Sequence, residues 1–291
     1  MPLKIIPTNL LAAYIEQAPQ ALQETFNALH EAEVSTDTFS FYTSVASVFS
    51  NKIEGEDIEL DSYIKHKAMG MEFKPDYTKK TDDLYNAYTF AKQNPLTPQN
   101  IGKVHALLAL NFLEKHKLGK FRSSNMYVVT DDGRIEYVAA SPYEVEQEMQ
   151  KLYDDIADLL KADLSIQEVF YYAAFIHLMF VKIHPWDDGN GRSARLLEKW
   201  FLAQKLGEKA WFLQSEKMYY QQHQTYYKNI RLVGLEYPEL DYNRALPFLL
   251  MLPKGCMTNC TTTIVPSVFL QKISRRENTL LTVGGAKRNL R

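Results

Sequence analysis

Apolar residues recur at helical spacing along most of the chain. From about Leu10 to His30, and again from Asp82 to Gln93, apolar positions return with the period of an α-helix, and Pro95 stops the second run. Thr97-Pro98 sets a capping hydroxyl before a proline at the first helical position and opens a helix through Val104, Leu107, Leu108 and Phe112. Ser141-Pro142-Tyr143-Glu144 and Ser165-Ile166-Gln167-Glu168 each have the Ser-x-x-Glu form of a capping box, and a long helix is expected after each. The apolar run Val169 to Val181 is too short to span a bilayer and carries His177, so it reads as a buried core helix. Another helix, from roughly Gly191 to Gln204, ends at Gly207. Between Arg122 and Ser141 the pattern changes. Met126-Tyr127-Val128-Val129 and Arg134-Ile135-Glu136-Tyr137-Val138 are β-favouring runs around Asp131-Asp132-Gly133 and predict one hairpin. The expected fold class is mainly α, a helical bundle with one small β-hairpin.

Composition narrows the setting. At 291 residues and 46% hydrophobic content the chain can bury a sizeable core. A formal net charge of -2 gives no reason to expect nucleic acid or an anionic membrane surface as a partner. The basic residues Arg275-Arg276 and Lys287 to Arg291 read as a solvated tail. Cys256 and Cys260, four apart, match neither a redox pair nor a zinc pattern, which points to a reducing compartment. Met1 to Tyr14 shows no convincing signal peptide, and a cytoplasmic location is expected.

The chemistry is concentrated in His184-Pro185-Trp186-Asp187-Asp188-Gly189-Asn190-Gly191-Arg192-Ser193-Ala194-Arg195, between two helical patterns. Gly189 and Gly191 flank Asn190, so the backbone can take positive φ and turn consecutive N–H groups toward an anion. The helix that begins there adds its own unpaired N–H groups. Asp188 offers a hard oxygen ligand of the kind Mg²⁺ takes alongside water and phosphate. Arg192 and Arg195 suit phosphate oxygens, and His184 can serve as a base. A zinc hydrolase is disfavoured, because no H-E-x-x-H helix supplies further ligands.

This stretch resembles the signature of the Fic family, H-P-F-x-D/E-G-N-G-R-x-x-R, with Trp186 in the Phe position. Gly119-Lys120-Phe121-Arg122, the hairpin after it and Tyr226-Tyr227 resemble the family in order and spacing, over about Thr97 to Gly234. The resemblance implies a Fic-type bundle that binds Mg²⁺ and ATP and moves AMP to a hydroxyl of a target protein. By the same resemblance His184 is the general base, Asp188 holds the metal, and Gly189, Asn190 and Gly191 form the anion hole, with Asn190 counted among the catalytic residues. Arg192 reaches the inner phosphates, Arg195 the γ-phosphate, and Tyr226 and Tyr227 line the adenine pocket. The hairpin, through Met126, Tyr127, Val128, Val129, Tyr137 and Val138, is implied to be a flap that docks an extended target segment by strand addition.

Upstream, Ser50-Asn51-Lys52-Ile53-Glu54-Gly55 resembles the inhibitory S/T-x-x-x-E-G/N element of Fic proteins whose inhibitory helix precedes the core. Ser50 and Glu54 share one helical face, and Gly55 is placed to end the helix. The resemblance implies that Glu54 pairs with Arg195 where the γ-phosphate belongs; an ordinary exposed helix face is the alternative. Three regions are expected: a helical 1–96 with the inhibitory element, a catalytic 97–234, and a C-terminal extension 235–291. Removal of AMP from a modified target, transfer of another nucleotide such as UMP, and a non-catalytic interaction module are the other functions weighed. Exposed apolar surface on the N-terminal helices is compatible with a homodimer.

Overall fold

The computed structural model describes residues 2–29, 38–129, 133 and 135–259. His30, Asp131, Asp132, Arg134, Cys260 and the basic segment from Arg275 lie outside them. The helices are α1 (Leu11–Gln17), α2 (Leu22–Ala28), α3 (Thr38–Ile53), α4 (Leu60–Met69), α5 (Pro75–Gln93) and α6 (Pro98–Leu108). A hairpin of β1 (Tyr127–Val129) and β2 (Ile135–Val138) follows. Then come α7 (Val145–Lys161), α8 (Ile166–Ile183), α9 (Asn190–Leu206), α10 (Ser215–Gln221), α11 (His223–Arg231), α12 (Leu246–Leu249) and α13 (Met251–Asn259). The fold is mainly α with one small antiparallel hairpin, as the pattern predicts.

Local chemistry explains where the boundaries depart from expectation. The helix expected from Leu10 is two helices, because Pro19 drives Ala18 to an extended ψ of 148°. α6 stops at Leu108, short of Phe112. Ser165 closes a capping box: its Oγ accepts the Glu168 N–H, and the Glu168 carboxylate accepts the Ser165 N–H at 2.8 Å. Ser141 does not. Its carbonyl accepts the N–H groups of Glu144 and Val145 at 2.9 and 3.1 Å, and α7 starts behind Glu144 without a side-chain cap.

α8 is the axis of the molecule. Every residue of it except Gln167 and Glu168 is buried, so a helix apolar and long enough to cross a membrane is here enclosed by protein. α9 packs along it, and α7 adds Val145, Met149, Leu152, Ile156 and Leu159 at helical spacing. The N-terminal segment is fastened to α7 where the backbone N–H groups of Lys4, Ile5 and Ile6 donate to the buried Asp155 carboxylate at 2.6 to 2.9 Å.

α3 lies against α5, α9 and α10 and is held differently. Of its buried apolar residues, Ala46 and Ile53 join the main core, while Phe41, Val45 and Val48 belong to two small clusters shared with α4 and its approach. Ser44, Ser47, Ser50 and Asn51 are also buried, giving this helix a polar face.

In the hairpin Tyr127 pairs with Val138, Val128 with Tyr137 and Val129 with Ile135, so residue 136 is extra and forms a bulge. The bulge breaks the alternation of β2. Ile135 faces out with Tyr127 and Val129, and Tyr137 turns in and is buried.

Candidate active site

His184 caps α8 in the left-handed region (φ 55°, ψ 61°), the one non-glycine residue with positive φ among the described residues. Such a conformation persists only where the surroundings hold it. Its N–H donates to the Phe180 carbonyl at 2.9 Å, and Arg122 secures the other side. Arg122 Nε donates to the His184 carbonyl at 2.7 Å, its backbone N–H to the Pro185 carbonyl at 2.9 Å, and its remaining guanidinium N–H groups to the Ser124, Ala140 and Ile183 carbonyls. Trp186 is clamped between His105 and Phe121, stacked at centroid distances of 4.4 and 5.2 Å. The Asn190 side chain closes the loop, accepting the Trp186 N–H at 2.9 Å and donating to the Trp186 carbonyl at 2.8 Å. Both ends of that amide are occupied, so the Asn190 side chain serves as a brace for the loop.

The His184 Nδ1 lies 3.2 Å from the Val181 carbonyl and 3.0 Å from the Tyr137 hydroxyl. A carbonyl can only accept, so Nδ1 carries the proton and Nε2 presents a lone pair. Burial depresses the imidazole to about 4, the Val181 carbonyl working in the other direction. His184 is therefore neutral at pH 7 and able to take a proton.

Two arginines on the first turns of α9 are buried. Arg195 is fully engaged by α3: Nε donates to Ser50 Oγ at 2.8 Å, and one terminal nitrogen donates to the Ser50 carbonyl at 3.1 Å and to Glu54 Oε1 at 2.6 Å. Its other terminal nitrogen faces the Tyr226 hydroxyl at 3.4 Å. Arg192 donates to Asn51 Oδ1 at 3.3 Å and stacks on Phe112 at 3.9 Å. Glu54 follows the last residue of α3, and Gly55 turns the chain away at φ 84°. Desolvation pushes the Glu54 carboxyl up, but Arg195 and Arg192 outweigh it and hold it below the ordinary carboxylate value.

Gly191 explains how close this carboxylate comes. A Cβ there would stand 2.5 Å from Glu54 Oε1, so only glycine leaves room for the contact. The positive φ expected at Gly191 is absent; Gly189 alone of the pair has it, at 81°. Gly189 also donates its N–H to the Asp188 carboxylate. Glu54 thus stands over the first turn of α9, where unpaired backbone N–H groups favour an anion.

Asp188 keeps a 54% exposed side chain, 3.5 Å from Arg192, and its carbonyl accepts from His105 Nε2 at 3.0 Å. No group of three His, Cys, Asp or Glu side chains gathers for a metal among the described residues. One accessible carboxylate beside an anion site fits Mg²⁺, which takes few protein ligands, and does not fit a structural zinc.

Tyr226 is buried, and its hydroxyl bridges Arg195 and His177, whose Nε2 is 3.0 Å away. Tyr226 stands behind the arginine, 1% exposed. Tyr227, half-buried, packs edge-on against Tyr226 and His223. The Val138 N–H donates to the Leu235 carbonyl at 2.8 Å, so among the described residues the hairpin edge without a further strand partner lies on β1. Sequence reasoning missed the roles of His105, Arg122, Tyr137 and the fully buried pair His177 and Glu198 (2.8 Å) behind Tyr226. Arg122 and Tyr137 lie in stretches singled out in the sequence, but their partners His184 and Val181 are more than 40 residues away in the chain.

Residues 95–202 match the model of the Fic/DOC family. Over 112 residues the chain is 31% identical to a protein adenylyltransferase Fic of Nematostella vectensis, covering 38% of this chain and 24% of that relative, so it spans about a quarter of the relative's length. A Fic family protein from Desulfovibrio desulfuricans has a similar fold, with a TM-score of 0.72 at 16% identity over 90% of this chain and 76% of that one. So does a Fic domain containing signaling protein from Bacteroides thetaiotaomicron, with a TM-score of 0.64 at 21% identity over 85% of this chain and 94% of that one.

Proposed function

Residues 95–202 make this chain a member of the Fic family, and from that premise we propose that it is a protein adenylyltransferase restrained by its own Glu54. The observation that carries the restraint is the 2.6 Å bond between Glu54 and Arg195 over a glycine with no room for a side chain. The outermost phosphate of ATP carries the same charge as the carboxylate and seeks the same guanidinium, so the two exclude each other by volume and by repulsion.

With Glu54 withdrawn, Arg195 and Arg192 are free to pair with phosphate oxygens, and the first turn of α9 receives them on its backbone N–H groups. His184 Nε2 takes the proton of a target Ser, Thr or Tyr hydroxyl as that oxygen bonds to the α-phosphorus. The bond from the α-phosphorus to the bridging oxygen breaks, and pyrophosphate leaves with the electron pair. Asp188 would hold Mg²⁺, which would supply neutralisation of the phosphate charge. The target segment docks along the open β1 edge at Tyr127. Asp188 and the hairpin enter this reading by resemblance and accessibility alone.

A second reading has one observation behind it: Glu54 is close enough to His184 to raise its proton affinity, so this carboxylate could orient a water that removes AMP from a modified target. One experiment separates the two. Wild type and Glu54→Gly are incubated with ATP labelled at the α- or the γ-phosphate, and in parallel with an AMP-modified target. The proposal expects label from the α-phosphate only, raised at least tenfold in Glu54→Gly, the weight of one charge-assisted hydrogen bond. A folded Glu54→Gly protein no more active than wild type overturns it. AMP release that disappears in the variant establishes the hydrolase instead.

A further inference from the structure

Behind Arg195 runs a row of polar side chains that the chemistry above does not call on. Tyr226, His177 and Glu198 are all buried. Arg195 Nη1 lies 3.4 Å from the Tyr226 hydroxyl, that hydroxyl 3.0 Å from His177 Nε2, and His177 Nδ1 2.8 Å from Glu198 Oε2. The two ends of the row are one-way: a guanidinium can only donate and a carboxylate can only accept, whereas the hydroxyl and the neutral imidazole between them do both. Donation therefore runs from Arg195 Nη1 to the Tyr226 oxygen, from the Tyr226 hydroxyl to His177 Nε2, and from His177 Nδ1 to Glu198. Three bonds take three protons. A second proton on the imidazole would aim two donors at the Tyr226 oxygen and leave the tyrosine proton without an acceptor. Burial raises the Tyr226 phenol to about 12 against the pull of Arg195, so it keeps the proton that the row needs.

The far end is fixed as well. Glu198 Oε2 accepts the Tyr219 hydroxyl at 2.8 Å, and Lys199, its neighbour in the chain, is engaged by Glu216. At the near end, Arg195 Nε and Nη2 are held by Ser50 and Glu54, while Nη1 has Tyr226 as its one hydrogen-bond partner among the described residues. Nη1 also faces the first turn of α9: a Cβ on Gly191 would stand 3.1 Å from it. Its second N–H is left for an anion there. The contacts in front of the arginine belong to the inhibitory segment; the contact behind it belongs to the scaffold.

We propose that Tyr226, oriented by His177 and Glu198, is a positioning residue that holds Arg195 Nη1 toward the anion site once Glu54 is withdrawn. That the anion is the outermost phosphate of ATP rests on the functional reading above; the hold on the guanidinium does not.

The test takes Glu54→Gly/His184→Ala as parent, which on that reading binds ATP without consuming it, and adds Tyr226→Phe, which removes only the hydroxyl. Calorimetry with Mg²⁺ present gives Kd for ATP and for ADP, and both proteins carry ¹⁵N-labelled histidine and arginine. The expected result is ATP bound roughly fivefold to tenfold more weakly in Tyr226→Phe with ADP unchanged, and faster interchange of the two Arg195 terminal nitrogens by rotation about Cζ–Nε. Equal weakening of both nucleotides with a lower melting temperature would show a packing role alone and overturn the proposal, as would an unchanged preference for ATP. In the parent, with no change at Tyr226, His177 should carry its proton on Nδ1 only; an Nε2–H or doubly protonated ring overturns the directed row. Should the parent bind ATP no tighter than ADP, the reading of Arg195 as a phosphate ligand fails by itself. The interchange of its nitrogens then decides the role of Tyr226, and an unchanged rate overturns it.

Discussion

The α8–α9 pair and α3 meet at Arg195, and they are held in opposite ways. α8 is enclosed by apolar side chains along almost its whole length, and the four charges that α9 buries each have a partner: Arg192 and Arg195 on α3, Glu198 on His177 and Tyr219, Lys199 on Glu216 at 2.5 Å. α3 instead brings Ser50 and Asn51 to the contact and leaves most of its buried apolar residues in small clusters outside the main core. Apolar burial is non-directional and adds up over area, whereas a hydrogen bond contributes only about 1 kcal/mol net and depends on geometry. The first kind of contact suits a scaffold that must hold His184 in a strained backbone. The second suits a part that can come away without unfolding the rest.

The largest effect expected on the scaffold side is chemical. In a Glu54→Gly background, His184→Ala should lower AMP transfer by roughly 10²–10⁴-fold while ATP binding is kept. Transfer at the parent rate would remove His184 from the chemistry. Susceptibility of α3 to protease should not change between the two proteins, because α3 is seated on Arg195 and Arg192.

A smaller effect is expected on the α3 side. Ser50→Ala removes the hydroxyl that accepts from Arg195 Nε, and basal labelling should rise roughly twofold to tenfold. Thermal melting of the whole protein should fall by only a few degrees. A large loss of melting temperature with no gain in labelling would show that α3 is part of the scaffold after all.

Acid should separate the two regions most gently. A carboxyl depressed by folding stabilises the fold fully above its unfolded value, ordinarily 4.5, and loses that contribution as pH falls through the lower folded value. The seating of α3 is therefore complete at pH 5 and weakens below about 4.5. His184 acts in the same direction over a higher window: held near 4, it stays neutral while the unfolded chain takes a proton below about 6.5, so acid lowers global stability from there down to about 4. Hydrogen exchange measured from pH 6 to 4 should show both, a gradual loss everywhere and an additional loss in α3 below 4.5. Uniform loss across α3 and α8 would erase the distinction.

Much of this was legible in the chain. Helical spacing marks α5 to α9, the valine and tyrosine runs mark the hairpin, and the His184 to Arg195 signature marks the loop. The Ser50-x-x-x-Glu54 spacing also anticipates a contact made across 141 residues of sequence, though it does so by resemblance and not by periodicity. What stays hidden is of one physical kind. Arg122 holding four backbone carbonyls, His105 stacked on Trp186, and Asn190 folded back on its own loop depend on which atoms face one another, and residue spacing carries no record of that. The turned-in Tyr137 is hidden for a related reason: a one-residue bulge inverts the face of everything after it.

That bulge bears on how such a protein can diversify. Tyr127, Val129 and Ile135 expose their side chains to solvent, while Tyr137, two positions from Ile135, is locked among His184, Val181 and Lys182. Mutations on the outer side can accumulate and redraw the surface a target meets without disturbing the base, and mutations on the inner side are felt at once. A lineage could in this way change its clientele many times over while inheriting the same reaction.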